Sequence, residues 1–368
     1  MSNTEPTEAT QVNGAAHIDG SAGVPRDRRP AATPQRMRFH VDGWDPSYGS
    51  SVEDQDALTE STARVTADVE VPTEKWAPIP PEAVTDPGAV LFVDGVRRIE
   101  ARLWIDQPAT DGPVGNPATD ATMALCASYG AGVVCCCPDG GAHLLYSQTR
   151  RGLFTTATNA TDLATSAGVY RVNLSANDPT ASLPVLLSAS LQRQLTELEL
   201  IVAAQARAEL GSHGVAAGSD LLVIDGPLRG RQHLPRAVGF IKSHRTSYLD
   251  PTLHSMVAQL RARERTPVFL MGTTWDRHSW YLRLPCQPGA PWTGVVRIEC
   301  AADVTTAQAV ELANLTQALL PRYASVEYKD SRAPQNLVPV AGLERQLRRH
   351  LGDVGLLSRA LRAAAARS

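Results

Sequence analysis

Two aspartates in this sequence share one setting. Asp94 follows the apolar run Ala89-Val90-Leu91-Phe92-Val93 and precedes Gly95. Asp225 follows Leu221-Leu222-Val223-Ile224 and precedes Gly226. Short apolar runs of this kind read as buried strands. An aspartate at the end of such a strand is held rigidly at the edge of a core. Two such strands side by side bring two carboxylates together, which is costly unless a cation sits between them. Mg²⁺ and Mn²⁺, hard ions that prefer oxygen ligands, answer that need. Two ions about 4 Å apart can activate a water and stabilise a leaving oxygen in phosphodiester hydrolysis. Asp-Gly is also a common turn pair, so the argument rests on the repetition of the whole pattern.

A third carboxylate has to come from elsewhere. A long helix is expected over roughly Leu183 to Leu210, with Leu187, Leu191, Leu195, Leu198 and Val202 on one stripe. Glu199 falls roughly 80° from the centre of that stripe, and Glu197 roughly 120° away on the other side. Glu197 also follows Arg193 by four residues, a spacing that suits an exposed ion pair. Glu199 is therefore preferred as the inward ligand. Glu100, six residues after Asp94, ranks after it.

Positive charge follows the second aspartate. Arg229, Arg231, Arg236, Lys242 and Arg245, with His233 and His244, occur before the next acidic residue, Asp250. Basic side chains beside an acidic metal site suit a polyanion such as a DNA backbone. Lys242, Arg229, Arg231, His244, Arg245 and Arg98 are the expected substrate contacts. Arg345, Arg348, Arg349, Arg359, Arg362 and Arg367 near the C-terminus read as a solvated helix face. The net charge of -3 over 368 residues means that nucleic-acid attraction must be local.

The elements that would position these residues follow from periodicity. Residues 1–35 are rich in small and polar types and are expected to be a disordered tail. Residues 36–88 read as an extended arm whose aromatics, Phe39, Trp44, Tyr48 and Trp76, dock on the main body. Residues 89–352 form the main domain, and 353–368 a C-terminal helical tail. Within the domain, Asp94-Gly95 ends a first strand and a second runs from about Arg98 to Ile105. Leu125–Cys137 and His143–Tyr146 follow. After the long helix come Leu221–Ile224, Val238–Ile241, Val268–Met271, Trp280–Leu284 and Val295–Glu299 as strands. Helices are expected near Thr306–Leu320 and Leu343–Leu351. A hairpin and third strand, a long helix, then a short buried strand is the layout of an RNase H-like α/β fold, a mixed sheet flanked by helices. A fold alone does not give function.

Other chemistries find no support in the sequence. Cys135, Cys136 and Cys137 are consecutive, and neighbouring strand residues point to opposite faces, so the three cannot converge on one metal. With Cys126, Cys286 and Cys300 they read as reduced cysteines of a cytoplasmic protein. There is no secretory h-region or transmembrane run. Phosphate-loop, nucleophile-elbow and zinc-helix motifs are absent. An actin-like ATPase would need Gly-rich phosphate loops after both aspartates, and Arg97-Arg98 and Pro227-Leu228 do not supply them.

These stretches together resemble the NurA-domain nuclease family over roughly residues 89–350. The matching segments are Leu91-Phe92-Val93-Asp94-Gly95, the helix from Leu191 to Glu199, Leu221 to Leu228, and Val238-Gly239-Phe240-Ile241-Lys242. The resemblance implies an RNase H-like domain that cuts DNA with Mn²⁺ or Mg²⁺, as a 5′-to-3′ exonuclease and single-strand endonuclease. It further implies a homodimer that works with a HerA-type hexameric translocase in end resection and repair, cytoplasmic and nucleoid-associated. Carried over by motif, Asp94, Glu199 and Asp225 are the metal carboxylates. The family's C-terminal tyrosine and histidine fall at Ala333 and Ala341 here. Asp330, Arg332 and Asn336 are the candidate substitutes, with Asp330 the natural ligand. That departure keeps a second reading in view, a DNA-binding adaptor subunit without turnover.

Overall fold

The computed structural model describes residues 59–60, 62–106, 121–138, 140–176, 178, 180–212, 215–216, 218–287 and 289–367. The expected tail at 1–35, and Phe39, Trp44 and Tyr48 of the arm, lie outside the described residues.

The protein is a mixed α/β structure built on one large mixed sheet flanked by helices. Its strands are β2 (Arg64–Thr66), β3 (Ala89–Asp106), β4 (Ala121–Cys137), β5 (Gly141–Thr155), β6 (Leu163–Thr165), β7 (Gly168–Leu174), β8 (Asp220–Asp225), β9 (Ala237–Ile241), β11 (Phe269–Gly272), β12 (Asp276–Arg283) and β13 (Val295–Ala301). Two further short strands, β1 (Thr59–Glu60) and β10 (Thr246–Ser247), pair with each other. The order across the large sheet is β2-β11-β12-β13-β9-β8-β3-β4-β5-β7-β6. At its centre β3, β4 and β5 run antiparallel in sequence, while β8 lies parallel to β3 and β9 parallel to β8.

Helices cover both faces. α1 (Leu183–Ser212) lies on one face of the central strands, and its stripe of Leu187, Leu191, Leu195, Leu198 and Val202 is buried there as the spacing predicts. On the other face, α3 (Thr306–Leu319) packs over β9, β12 and β13, α4 (Val338–His350) over β3 and β4, and α5 (Val354–Ala365) beside β3 and β6. α2 (Pro251–Gln259) starts at Asp250, whose carboxylate accepts from the Thr252 and Leu253 amides. Its Leu253 and Val257 join a separate core with Phe269 and Tyr281. Trp76 is buried in that same core, tilted against Phe269 with 6.1 Å between ring centres.

The first aspartate strand differs from the sequence expectation. Asp94-Gly95 does not end a strand. β3 spans 18 residues in all, Ala89–Asp106, with one irregularity between Ile99 and Ala101. Gly95 serves a different purpose from a turn. A side chain there would meet Leu195 Cδ1 at 2.7 Å and Glu199 Oε1 at 2.6 Å. Its missing Cβ lets α1 lie close against the strand. Gly132, paired across from Asp94 in register, does the same on the opposite face, where a Cβ would stand 3.0 Å from Leu343 Cδ1 of α4. One glycine beside Asp94 and one opposite it thus admit a helix on each face.

Candidate metal centre

Side chains alternate along a strand, so Asp94 shares the α4 face of β3 with Phe92 and Val96, while Val93 and Gly95 face α1. On β8 the same alternation puts Asp225 on the face of Leu221 and Val223. Val93 pairs with Ile224 in the parallel register, so the two aspartates emerge side by side on the α4 face. β8 stops there. Gly226 has φ +115, a backbone state that side chains disfavour, and its amide donates to the Phe240 carbonyl at 2.9 Å.

The third acid of the group is Glu344, on α4. Carboxylate oxygens of Asp94, Asp225 and Glu344 all lie within 4.8 Å of one another. Glu344 is hidden in the sequence because Arg345, Arg348 and Arg349 follow it in a segment that reads as a solvated face. Its neighbours Val340, Leu343 and Leu347 form the buried stripe of α4, and that stripe was the available signal.

Glu199 and Asp330 do not join this group. Glu199 is buried, as its helical angle predicts, while Glu197 is exposed and bonded to Gln194. Glu199, however, sits on the α1 side and is ion-paired with Arg231. Asp330 accepts from the Asn336 side chain at 2.7 Å and from the Arg332 amide at 2.8 Å. Asn336 in turn accepts from Lys242 at 3.0 Å, so Asp330 touches the centre through two intermediaries. Glu100, ranked after Glu199, pairs with Arg98 at 2.8 Å and is not in the group.

Two cations border the acids. Lys242 Nζ donates to Asp225 Oδ2 at 2.6 Å, and Arg332 donates to Glu344 at 2.8 Å. They leave one acceptor unanswered: Asp94 Oδ2 is buried without a hydrogen-bond partner. Burial first, and then the Asp225 charge, push the Asp94 carboxyl well above the ordinary carboxylate range, with Lys242 opposing. A close set of oxygen donors, short of positive charge and containing a buried orphan oxygen, fits a hard divalent cation.

The expected substrate contacts divide. Arg229 and Arg245 are exposed. Lys242 is half-buried and committed to Asp225. Arg231 is buried, with donations to Glu199, to the Pro227 carbonyl at 2.9 Å and to Thr196 at 3.4 Å, and burial pulls it down to about 10. Arg98 holds Glu100 and the Gly352 carbonyl. His244 is a core residue, enclosed by Tyr281 and Trp292, bonded to the Val295 carbonyl and pushed down to about 4 by burial. Arg231, Arg98 and His244 are therefore structural in this arrangement. A run of basic letters does not reveal which of them find buried acids. A basic concavity absent from the sequence reading, about 440 Å³, is lined by Arg150, Arg151, Arg171 and His350 among others.

The described part of the chain is thus an α/β protein with a three-carboxylate centre, buried at Asp94 and half-buried at Asp225 and Glu344, beside its central strands. No helix among the described residues is long and apolar enough to cross a membrane. Compared with known proteins, the chain matches no family model and no curated protein.

Proposed function

We propose that this chain is a divalent-metal-dependent nuclease, with Asp94, Asp225 and Glu344 as the residues that hold Mn²⁺ or Mg²⁺. The observation that carries the reading is the unpartnered, buried Asp94 Oδ2 within a group of three converging carboxylates. The strand layout supports it: three successive antiparallel strands, two short strands at the sheet edge, a long helix, then a strand parallel to and beside the first, compatible with an RNase H-like fold. A bound cation would polarise a phosphoryl oxygen and sharpen water as a nucleophile. The chain's own residues do the positioning. Lys242, steadied by Asn336, fixes the Asp225 carboxylate, and Arg332 fixes Glu344. Exposed Arg229 and Arg245 follow the Asp225 strand and suit a phosphate backbone. The resemblance extends the proposal to DNA end processing, to dimerisation and to a HerA-type translocase as partner.

One observation favours a second reading. Lys242 and Arg332 already offset part of the acid charge, as they would in a DNA-binding adaptor without turnover. Incubating end-labelled single-stranded DNA with the protein and Mn²⁺ separates the two. The nuclease reading expects cleavage, abolished by a chelator and by Asp225→Ala in a folded protein. Salt-dependent binding with no cleavage under any divalent metal would leave the adaptor.

A further inference from the structure

We propose that Cys135, Cys137 and His143 form a zinc site at the β4–β5 hairpin, on the sheet face opposite the carboxylate centre. The three cysteines 135 to 137 cannot all converge, but the alternation that separates them also pairs two of them. Cys135 and Cys137 point to one face and Cys136 to the other. Cys135 and Cys137 join the core beneath α1, whereas Cys136 packs with Val96, Val134 and Leu343 on the α4 side. The hairpin register then supplies the third donor. His143 is the direct partner of Cys135 across the strands, and paired residues share a face. The three donor atoms lie within 4.8 Å of one another.

The surroundings are arranged as a ligand shell would be. The Gly140 amide donates to Cys137 Sγ at 3.3 Å. A Cβ at Gly140 would stand 3.0 Å from that sulfur and 3.3 Å from His143 Cε1, so a glycine keeps the space between them clear. His143 Nδ1 lies 3.2 Å from the Gly141 carbonyl. Donation to that oxygen orients the ring and leaves the Nε2 lone pair for a metal, the usual support for a ligating histidine.

Two sulfurs and one imidazole are the donor set of zinc rather than of Mg²⁺ or Mn²⁺. Two thiolates balance the charge of Zn²⁺. Cys135 is buried, Cys137 half-buried and His143 exposed, so the ion can enter from solvent and water can complete a tetrahedral shell. The site would staple the turn end of the hairpin, coupling zinc binding to local stability. It depends on none of the residues of the proposed nuclease centre.

The experiment is metal analysis of the full-length chain, followed by Co²⁺ substitution. Cobalt bound by thiolates gives a charge-transfer absorption that carboxylate-bound cobalt lacks, so the two centres are read separately. One zinc per chain and that absorption are expected. Cys137→Ser and His143→Ala should each weaken zinc binding by at least the roughly 10- to 100-fold that losing a ligand's hydrogen-bond partner costs. Cys136→Ser should leave binding unchanged. Because His143 is exposed, His143→Ala tests the site without disturbing the core. The proposal is overturned by a folded wild-type chain that takes up neither zinc nor cobalt at thiolates. It is equally overturned if Cys136→Ser weakens binding as much as Cys137→Ser, and copper(I) uptake without zinc uptake would overturn the zinc assignment.

Discussion

Glu299 on β13 and Asp94 on β3 are both buried carboxylates of one sheet, yet their surroundings differ. Both Glu299 oxygens are answered. Arg277 donates to Oε2 at 3.1 Å, Arg297 to the same oxygen at 2.8 Å, and the Leu228 amide to Oε1 at 2.8 Å. Around Asp94 the balance is reversed: only two cations are hydrogen-bonded to the group of three acids, neither of them to Asp94, and one Asp94 oxygen has no partner. Burial by itself therefore does not mark a functional acid. The distinguishing feature is whether the fold has completed the group's hydrogen bonds and charge. Glu299 is a brace, because the amide it holds lies three residues after Asp225. Asp94 is left for something the fold does not provide.

The contrast can be broken first at the brace. Glu299→Gln removes the charge from between two buried arginines and should destabilise the protein by about 3–5 kcal/mol, as broken buried pairs do. Denaturant unfolding measures it, and a change near zero would mean that the network is not structural.

His244 extends the same test to pH. Its folded value of about 4 lies below the ordinary 6.5, so the unfolded chain binds the proton more readily. Stability is complete above about pH 6.5 and falls as pH drops toward 4, by up to about 3 kcal/mol in all. His244→Phe should flatten that stretch of a stability–pH curve.

A smaller effect is expected at Gly239, the register partner of Glu299. A Cβ there would meet the Leu228 nitrogen at 2.7 Å and the Gly226 oxygen at 2.8 Å, both backbone atoms. Gly239→Ala should cost about 1–3 kcal/mol, the usual range for overpacking, and displace the loop after Asp225. Thermal unfolding reads the cost.

The smallest change runs in the opposite direction. Asp94 has a raised folded pKa, so in metal-free protein its contribution worsens as pH rises above the unfolded value near 4. Asp94→Asn should remove that loss and make the metal-free protein slightly more stable at neutral pH. A destabilised Asp94→Asn would place the residue with Glu299 as a structural acid.

How much of this was legible in the sequence depended on the range of the signal. β8, β9 and the buried stripe of α1 were readable because apolar runs and a 3.6-residue period are local. The pairing of the two aspartates was readable because each follows a short apolar run and precedes a glycine, a local pattern repeated twice. The continuation of β3 was hidden because Gly95 carries the signature of a turn, and its actual role, admitting α1, is a tertiary fact. Glu344 was hidden because its own segment looks like a charged surface helix. Its partial burial arises only when Gly132, far away in sequence, lets Leu343 and α4 settle on the sheet. Arg231 and His244 were read as substrate contacts because pairing with Glu199 and enclosure by Trp292 leave no trace in a run of basic residues.

Mn²⁺ titration by calorimetry, on wild type, Glu344→Gln and Glu199→Gln, tests the central claim most directly. If Asp94, Asp225 and Glu344 form the centre, wild type and Glu199→Gln bind the ion and Glu344→Gln binds it far more weakly. Binding by Glu344→Gln as tight as wild type, or none by wild type, would contradict the assignment.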